Sequence, residues 1–192
     1  MIVTLKYHVP TTPSIAGEVI CSPAFNDAIE RERQEFVSTR YELLEQTDAM
    51  ILFDVITDEY PRTMTGSINR RKILTSKNRK SYDVKKQRLH WTYTGQGSGI
   101  ADVSGLLQLL PSGEATDVVH EITIKVKIPV IGEWIAGFIA AEFKKSITWF
   151  DRVLQDQVQR RRQSGACCLE NATRVTDWLD RAGDSPEQID CK

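Results

Sequence analysis

Residues 117–129 read DVVHEITIKVKIP, and their two-residue alternation decides the fold. Val118, His120, Ile122, Ile124, Val126 and Ile128 share one face, while Val119, Glu121, Thr123, Lys125 and Lys127 share the other. Successive side chains of an extended chain point to opposite sides, so this is a strand with one buried and one wet face. Pro129 ends it. Downstream, Ile135, Phe138, Ile139, Phe143, Ile147, Phe150, Leu154 and Val158 recur mostly at intervals of three and four, the stripe of an amphipathic helix. A last strand feeding a long last helix lays that helix across a curved sheet. The layer between them is then either a solid core or a pocket, and which of the two it is decides the function.

Upstream of this stretch the period is also two. Strands are predicted near 50–59, 63–74, 80–86, 88–95, 101–110 and 117–128, with turns at Tyr60-Pro61, Ser76-Lys77-Asn78, Gly95 to Gly99 and Pro111-Ser112-Gly113. The apolar parity switches between Tyr82 and Val84 on one side and Leu89, Trp91 and Tyr93 on the other, which requires a bulge or short turn near 85–87. A first strand is predicted at 3–9. Ser22 and Pro23 form a helix start, N-cap and first helical position, for a helix running to about Tyr41 through Phe25, Ala28, Ile29, Glu32 and Phe36. Residues 163–192 are polar, and only Val175, Trp178 and Leu179 suggest a short helix. We therefore expect a domain over 1–162 and a C-terminal tail over 163–192.

A chain of 192 residues with 41% hydrophobic and 27% charged residues is long enough to bury a real core. Its net charge of −1 provides no field toward nucleic acid, so no nucleic-acid partner is expected. The start, Met1 to Tyr7, alternates like a strand and lacks a signal-peptide pattern, and the four cysteines lack metal spacing. A cytoplasmic location with reduced thiols is the expectation. Three scattered histidines and no clustered carboxylates argue against a metal centre, and no cofactor is expected.

The element order, strand, helix, antiparallel strands, long helix, resembles the helix-grip fold of the START and pollen-allergen-like (SRPBCC) superfamily. The likeness covers residues 1 to about 160. Its most specific piece is Ile128-Pro129-Val130-Ile131-Gly132-Glu133-Trp134, a Pro-x-x-Gly junction into the helix similar to that of a bacterial-type branch. The resemblance implies an α+β fold, a curved antiparallel sheet of about seven strands wrapped on a long C-terminal helix. It also implies an apolar cavity for a lipid, isoprenoid or polyketide-like molecule. Some members are cyclases or hydrolases and many only bind or transfer, so the resemblance does not settle the chemistry.

His120, on the apolar parity of the last strand, is the first candidate for orienting a ligand carbonyl or acting as a base. A core histidine bonded to a backbone or hydroxyl partner is the plainer account of its position. Trp91, Tyr93, Leu107, Ile122, Ile124, Trp134, Ile135, Phe138 and Phe143 are the candidate lining, in the pattern of apolar pockets with a few polar groups. Gly137, costly inside a helix, suggests a close approach by sheet or ligand. The glycines of 95–99 lead into a strand rather than a helix, which makes them a hairpin connection and not a phosphate loop. Basic residues at 69–72 and 77–80 lie at expected hairpin ends, where they either solvate a turn or dock on an anionic membrane. The expected function is binding or transfer of a hydrophobic small molecule, with transient membrane contact. An enzyme acting on such a ligand and a protein-interaction module with a filled core are the alternatives.

Overall fold

The computed structural model describes residues 1–62, 67–95 and 98–179, with 164–179 as backbone alone. The chain forms two compact units, residues 1–158 and 159–192. In the first, strand β1 (Ile2–Val9) is followed by two short helices, α1 (Pro13–Ile20) and α2 (Pro23–Arg31). Ser22 caps α2 by accepting from the Phe25 N–H at 3.2 Å, and Pro23 occupies the first helical position, where its missing N–H costs nothing. Six strands then run β2 (Phe36–Gln46), β3 (Met50–Glu59), β4 (Leu74–Asp83), β5 (Arg88–Thr94), β6 (Ala101–Ser112) and β7 (Ala115–Val126). The seven strands form one antiparallel sheet in the order β1-β7-β6-β5-β4-β3-β2. Helix α3 is assigned over Gly132–Leu179. In the second unit its backbone continues to Leu179, and the expectation that Trp178 folds back concerns side chains outside those described.

Several elements differ from the sequence reading: α1 was not expected, and the turn expected at 76–78 and the strand at 80–86 are one strand, β4. The helix expected to reach Tyr41 stops at Arg31, and 36–46 pair with β3 instead. Val37, Thr39 and Tyr41 are β-formers, but register shifts at Phe36/Ser38 and Leu43/Glu45 break the alternation that would have announced a strand. The strand expected over 63–74 is absent from 67–73, where Ile68 makes only an isolated bridge with Arg62; residues 63–66 lie outside those described. The run Arg70-Arg71-Lys72 carries no alternation to hold such a strand. The parity switch near 85–87 is a turn. Gln87 takes the left-handed conformation (φ 53°), Asp83 accepts from the Lys86 N–H at 2.9 Å, and Tyr82 ends opposite Leu89.

The inner face of the sheet buries two apolar clusters. One collects Val9, Ala16, Ile20, Phe25, Phe53, Tyr82, Leu89, Leu107, Leu109 and Val118 with Leu154 and Val158 of α3, closing the end of the sheet covered by α1 and α2. The other collects Val3, Trp91, Ile122 and Ile124 with Ala136 and Ala140 of α3. On the outer face, Asp54 is buried under Lys77 (3.0 Å) and Arg79 (2.9 Å), which hold its carboxyl below the usual range, the Arg79 hydrogen bond foremost.

Candidate functional site beneath the long helix

Strand register places the inner-face residues in rows that cross the sheet. The middle row reads Phe53, Lys80, Trp91, Gly105, Ile122 and Val3 from β3 to β1. The row nearer α1 reads Ile51, Tyr82, Leu89, Leu107, His120 and Leu5; the row on the other side carries Val55, Asn78, Tyr93, Val103 and Ile124. Gly105 is the gap in the middle row, and the Trp91 indole fills it. A Cβ at Gly105 would lie 2.4 Å from Trp91 Nε1 and Cε2. This close approach swings the indole across β6, where Nε1–H donates to His120 Nε2 at 2.9 Å.

That bond fixes the chemistry of His120. With Nε2 accepting, the neutral ring carries its proton on Nδ1. Burial pushes the imidazole pKa down to about 4, with the Lys80 charge adding to the effect. His120 is therefore neutral at pH 7, with Nε2 engaged and Nδ1–H as its remaining donor. Its ring also meets Phe150 of α3 at 6.1 Å between centroids, and Trp91 meets Phe143 at 5.9 Å.

Of the residues singled out from sequence, His120, Trp91, Tyr93, Leu107, Ile122 and Ile124 all project inward. Phe143 is half-buried against them and Ile135 is half-buried on α3. Trp134 and Phe138 point away, 65% and 50% exposed. The helical stripe that meets the sheet is instead Ala136, Ala140 and Phe143, at i, i+4 and i+7. Small residues thus face the sheet in the first part of α3. Gly137 meets nothing: a Cβ there would enter open space, so neither sheet nor side chain approaches it closely.

The sequence reading missed two inner-face groups. Residues 77–80, expected at a hairpin end, lie inside β4 and alternate: Lys77 and Arg79 outward on Asp54, Asn78 and Lys80 inward. Lys80 Nζ donates to Asn26 Oδ1 at 2.6 Å and lies 6.0 Å from the centre of the Phe53 ring. Asn78 Oδ1 and the Tyr7 hydroxyl are buried without a partner. Nearer the β3 end, Tyr93 donates to Glu59 at 3.1 Å, Glu59 pairs with Arg33, and Arg62 pairs with Glu35. Several inward residues, among them Leu5, Lys80, Tyr93, His120, Phe143 and Phe150, keep part of their surface accessible. Partly accessible residues border both clusters, Tyr7, Tyr41, Ile51 and Phe150 at the one under α1 and α2, and Leu5, Tyr93 and Phe143 at the one against the first half of α3.

An open groove of about 740 Å³ lies elsewhere, lined mainly by outward residues Arg40, Ile56, Thr75, Lys77 and Thr94. It includes none of the groups under α3, and its cations are already paired with Glu42 and Asp54. The described residues contain no cluster able to hold a metal ion.

A family model described as "Protein of unknown function (DUF2505)" matches residues 18–156. The chain belongs to this family. A comparison with curated proteins gives no match. Among solved structures, the chain resembles the Zhui aromatase/cyclase from Streptomyces sp. R1128, at 15% identity and TM-score 0.55, covering 84% of this chain and 94% of that one. It also resembles norcoclaurine synthase from Thalictrum flavum (10%, TM-score 0.57, 84% and 96%). A third likeness is to a START superfamily protein from Mycobacterium smegmatis (12%, TM-score 0.51, 83% and 97%). These likenesses establish the α+β helix-grip fold. They do not transfer an activity.

Proposed function

We propose that the chain binds a hydrophobic small molecule, lipid, isoprenoid or polyketide-like, between the inner face of the sheet and the first half of α3. The reading is supported by the apolar layer between them, built from Trp91, Ile122, Ile124, Ala136, Ala140 and Phe143 and bordered by the partly accessible Leu5, Tyr93 and His120, whose Nδ1–H is the one ring donor left over. Affinity comes from the apolar area the ligand loses to water, at about 25 cal/mol per Å², less the cost of association. His120 supplies orientation. With Nε2 taken by Trp91 and a pKa near 4 it is a poor base at neutral pH, which favours binding over acid–base chemistry at this residue. Solved structures that share this fold include the Zhui aromatase/cyclase and a START superfamily protein.

Transfer by transient membrane contact is the finer part of the proposal. Ile131, Trp134 and Phe138 are exposed, and so is Val130; they cluster where β7 passes into α3, at the sheet end that also carries the exposed loop residues Arg70, Arg71 and Lys72. Apolar side chains beside cations suit an anionic lipid surface. The test of binding is mass spectrometry of the protein purified from its own cells under non-denaturing conditions, followed by solvent extraction. A stoichiometric apolar molecule supports the reading. An empty protein that also refuses a panel of fluorescent lipids contradicts it.

A further inference from the structure

Lys80 stands apart from the other lysines of the sheet. Lys6, Lys77 and Lys125 project from the outer face, whereas Lys80 alone among the strand lysines projects inward, between Phe53 on β3 and Trp91 on β5. Its amine has one neutral partner, Asn26 Oδ1. Asn26 is itself 1% exposed and fixed by donating its own amide to the Ile20 and Ser22 carbonyls at 2.9 and 2.8 Å, so its oxygen is aimed and cannot rotate away. Among the described residues no carboxylate forms an ion pair with Lys80, in contrast to Lys77 and Arg79 on Asp54. The unpartnered Asn78 Oδ1 lies two residues earlier on the same face.

An inward lysine without a countercharge is costly to keep as a cation. Burial lowers its pKa, with Glu30 and then Cys21 pulling the other way, and so favours the free amine, the nucleophilic form. We propose that Lys80 captures carbonyl-bearing apolar ligands, aldehydes or ketones, as a reversible imine, and this rests on the binding site proposed above. The Nζ lone pair attacks the carbonyl carbon, a C=N bond replaces C=O, and the two amine hydrogens leave with the carbonyl oxygen as one water. No oxidant or reductant takes part.

The test treats the full chain with decanal and sodium cyanoborohydride at pH 7 and maps the reduced adducts by peptide mass spectrometry. A lowered pKa raises the free-amine fraction at pH 7, so we expect Lys80 to label faster than the exposed Lys85 and Lys86. Fluorescence of anilinonaphthalene sulfonate, read in parallel, reports the apolar site without covalent chemistry. Lys80→Met, with its fold checked by circular dichroism, should retain that fluorescence and lose the fast label. Labelling of Lys80 no faster than Lys85 and Lys86 in a protein that binds the dye overturns the imine and leaves the binding site standing. Absence of both dye binding and fast labelling overturns the two together.

Discussion

His120 carries a pH signature that follows from its environment. Its pKa falls from the usual 6.5 to about 4 on folding, desolvation first, so folding at acid pH must expel a proton. The contribution is neutral above pH 6.5 and becomes a penalty as pH falls through the window down to about 4, reaching on the order of 3 kcal/mol at 1.36 kcal/mol per unit. Denaturant unfolding at pH 7 and pH 4.5 should show the wild type losing clearly more stability than His120→Asn. Equal losses would remove His120 from the buried layer. Gly105 gives a second test. Gly105→Ala places a methyl against the Trp91 indole, which must swing away from His120. The expected cost is about 1–3 kcal/mol of overpacking, read by thermal unfolding, with an upfield change of the Trp91 indole N–H in the NMR spectrum. His120, Trp91, Ile122 and Ile124 were legible because alternation is strong in β5 and β7. Lys80 was not: the inner parity of β4 (LTSKNRKSYD) reads Leu74, Ser76, Asn78, Lys80, Tyr82, so its apolar signal is confined to the two ends and a lysine between them reads as a turn residue.

The passage from β7 to α3 is the element whose local chemistry is least comfortable. Val130 adopts φ 70°, a left-handed conformation that a β-branched side chain resists, and it is fully exposed, at 101% of its reference surface. Val130→Gly should relieve about 1–2 kcal/mol of backbone strain, offset by about 0.5–1 kcal/mol of added chain entropy. A small rise in thermal stability is the expected result, and a fall would mean that the valine side chain is held by the fold. Flotation with phosphatidylglycerol-containing vesicles examines the exposed aromatics of the same element. The wild type should float, and Trp134→Ser combined with Phe138→Ser should not; equal behaviour of the two would separate these residues from any membrane. At this scale the sequence reading located the helix, its junction and most of its inward stripe, Ile139, Phe143, Phe150, Leu154 and Val158, but turned Trp134 and Phe138 inward, where the structure exposes them. It weighted large apolar residues, whereas the contact stripe begins with Ala136 and Ala140. It missed β2 because two register shifts interrupt the strand's alternation.

For the whole molecule, the seven-strand antiparallel order and the long closing helix were legible from period, turns and length, even though one expected strand gave way to another. The pairing of β1 with β7 brings residues more than a hundred positions apart into register and completes the inner face with Val3 and Leu5. What sequence could not supply is how fully that face is covered. Filling depends on the choice between Ala136 and Phe138 as the inward residue of α3, a matter of helix rotation rather than of pattern. The two apolar clusters that result, one closed by α1 and α2 with Leu154 and Val158, the other by Ala136 and Ala140, frame the proposed binding site.

The most direct test of that site uses indole N–H resonances as position markers. In a ¹⁵N–¹H NMR titration with anilinonaphthalene sulfonate at pH 7, the Trp91 Nε1–H, bonded to His120 on the inner face, should shift saturably, while that of the exposed Trp134 should stay in place. A titration that moves Trp134 alone, or moves neither, would contradict an apolar binding site beneath the helix.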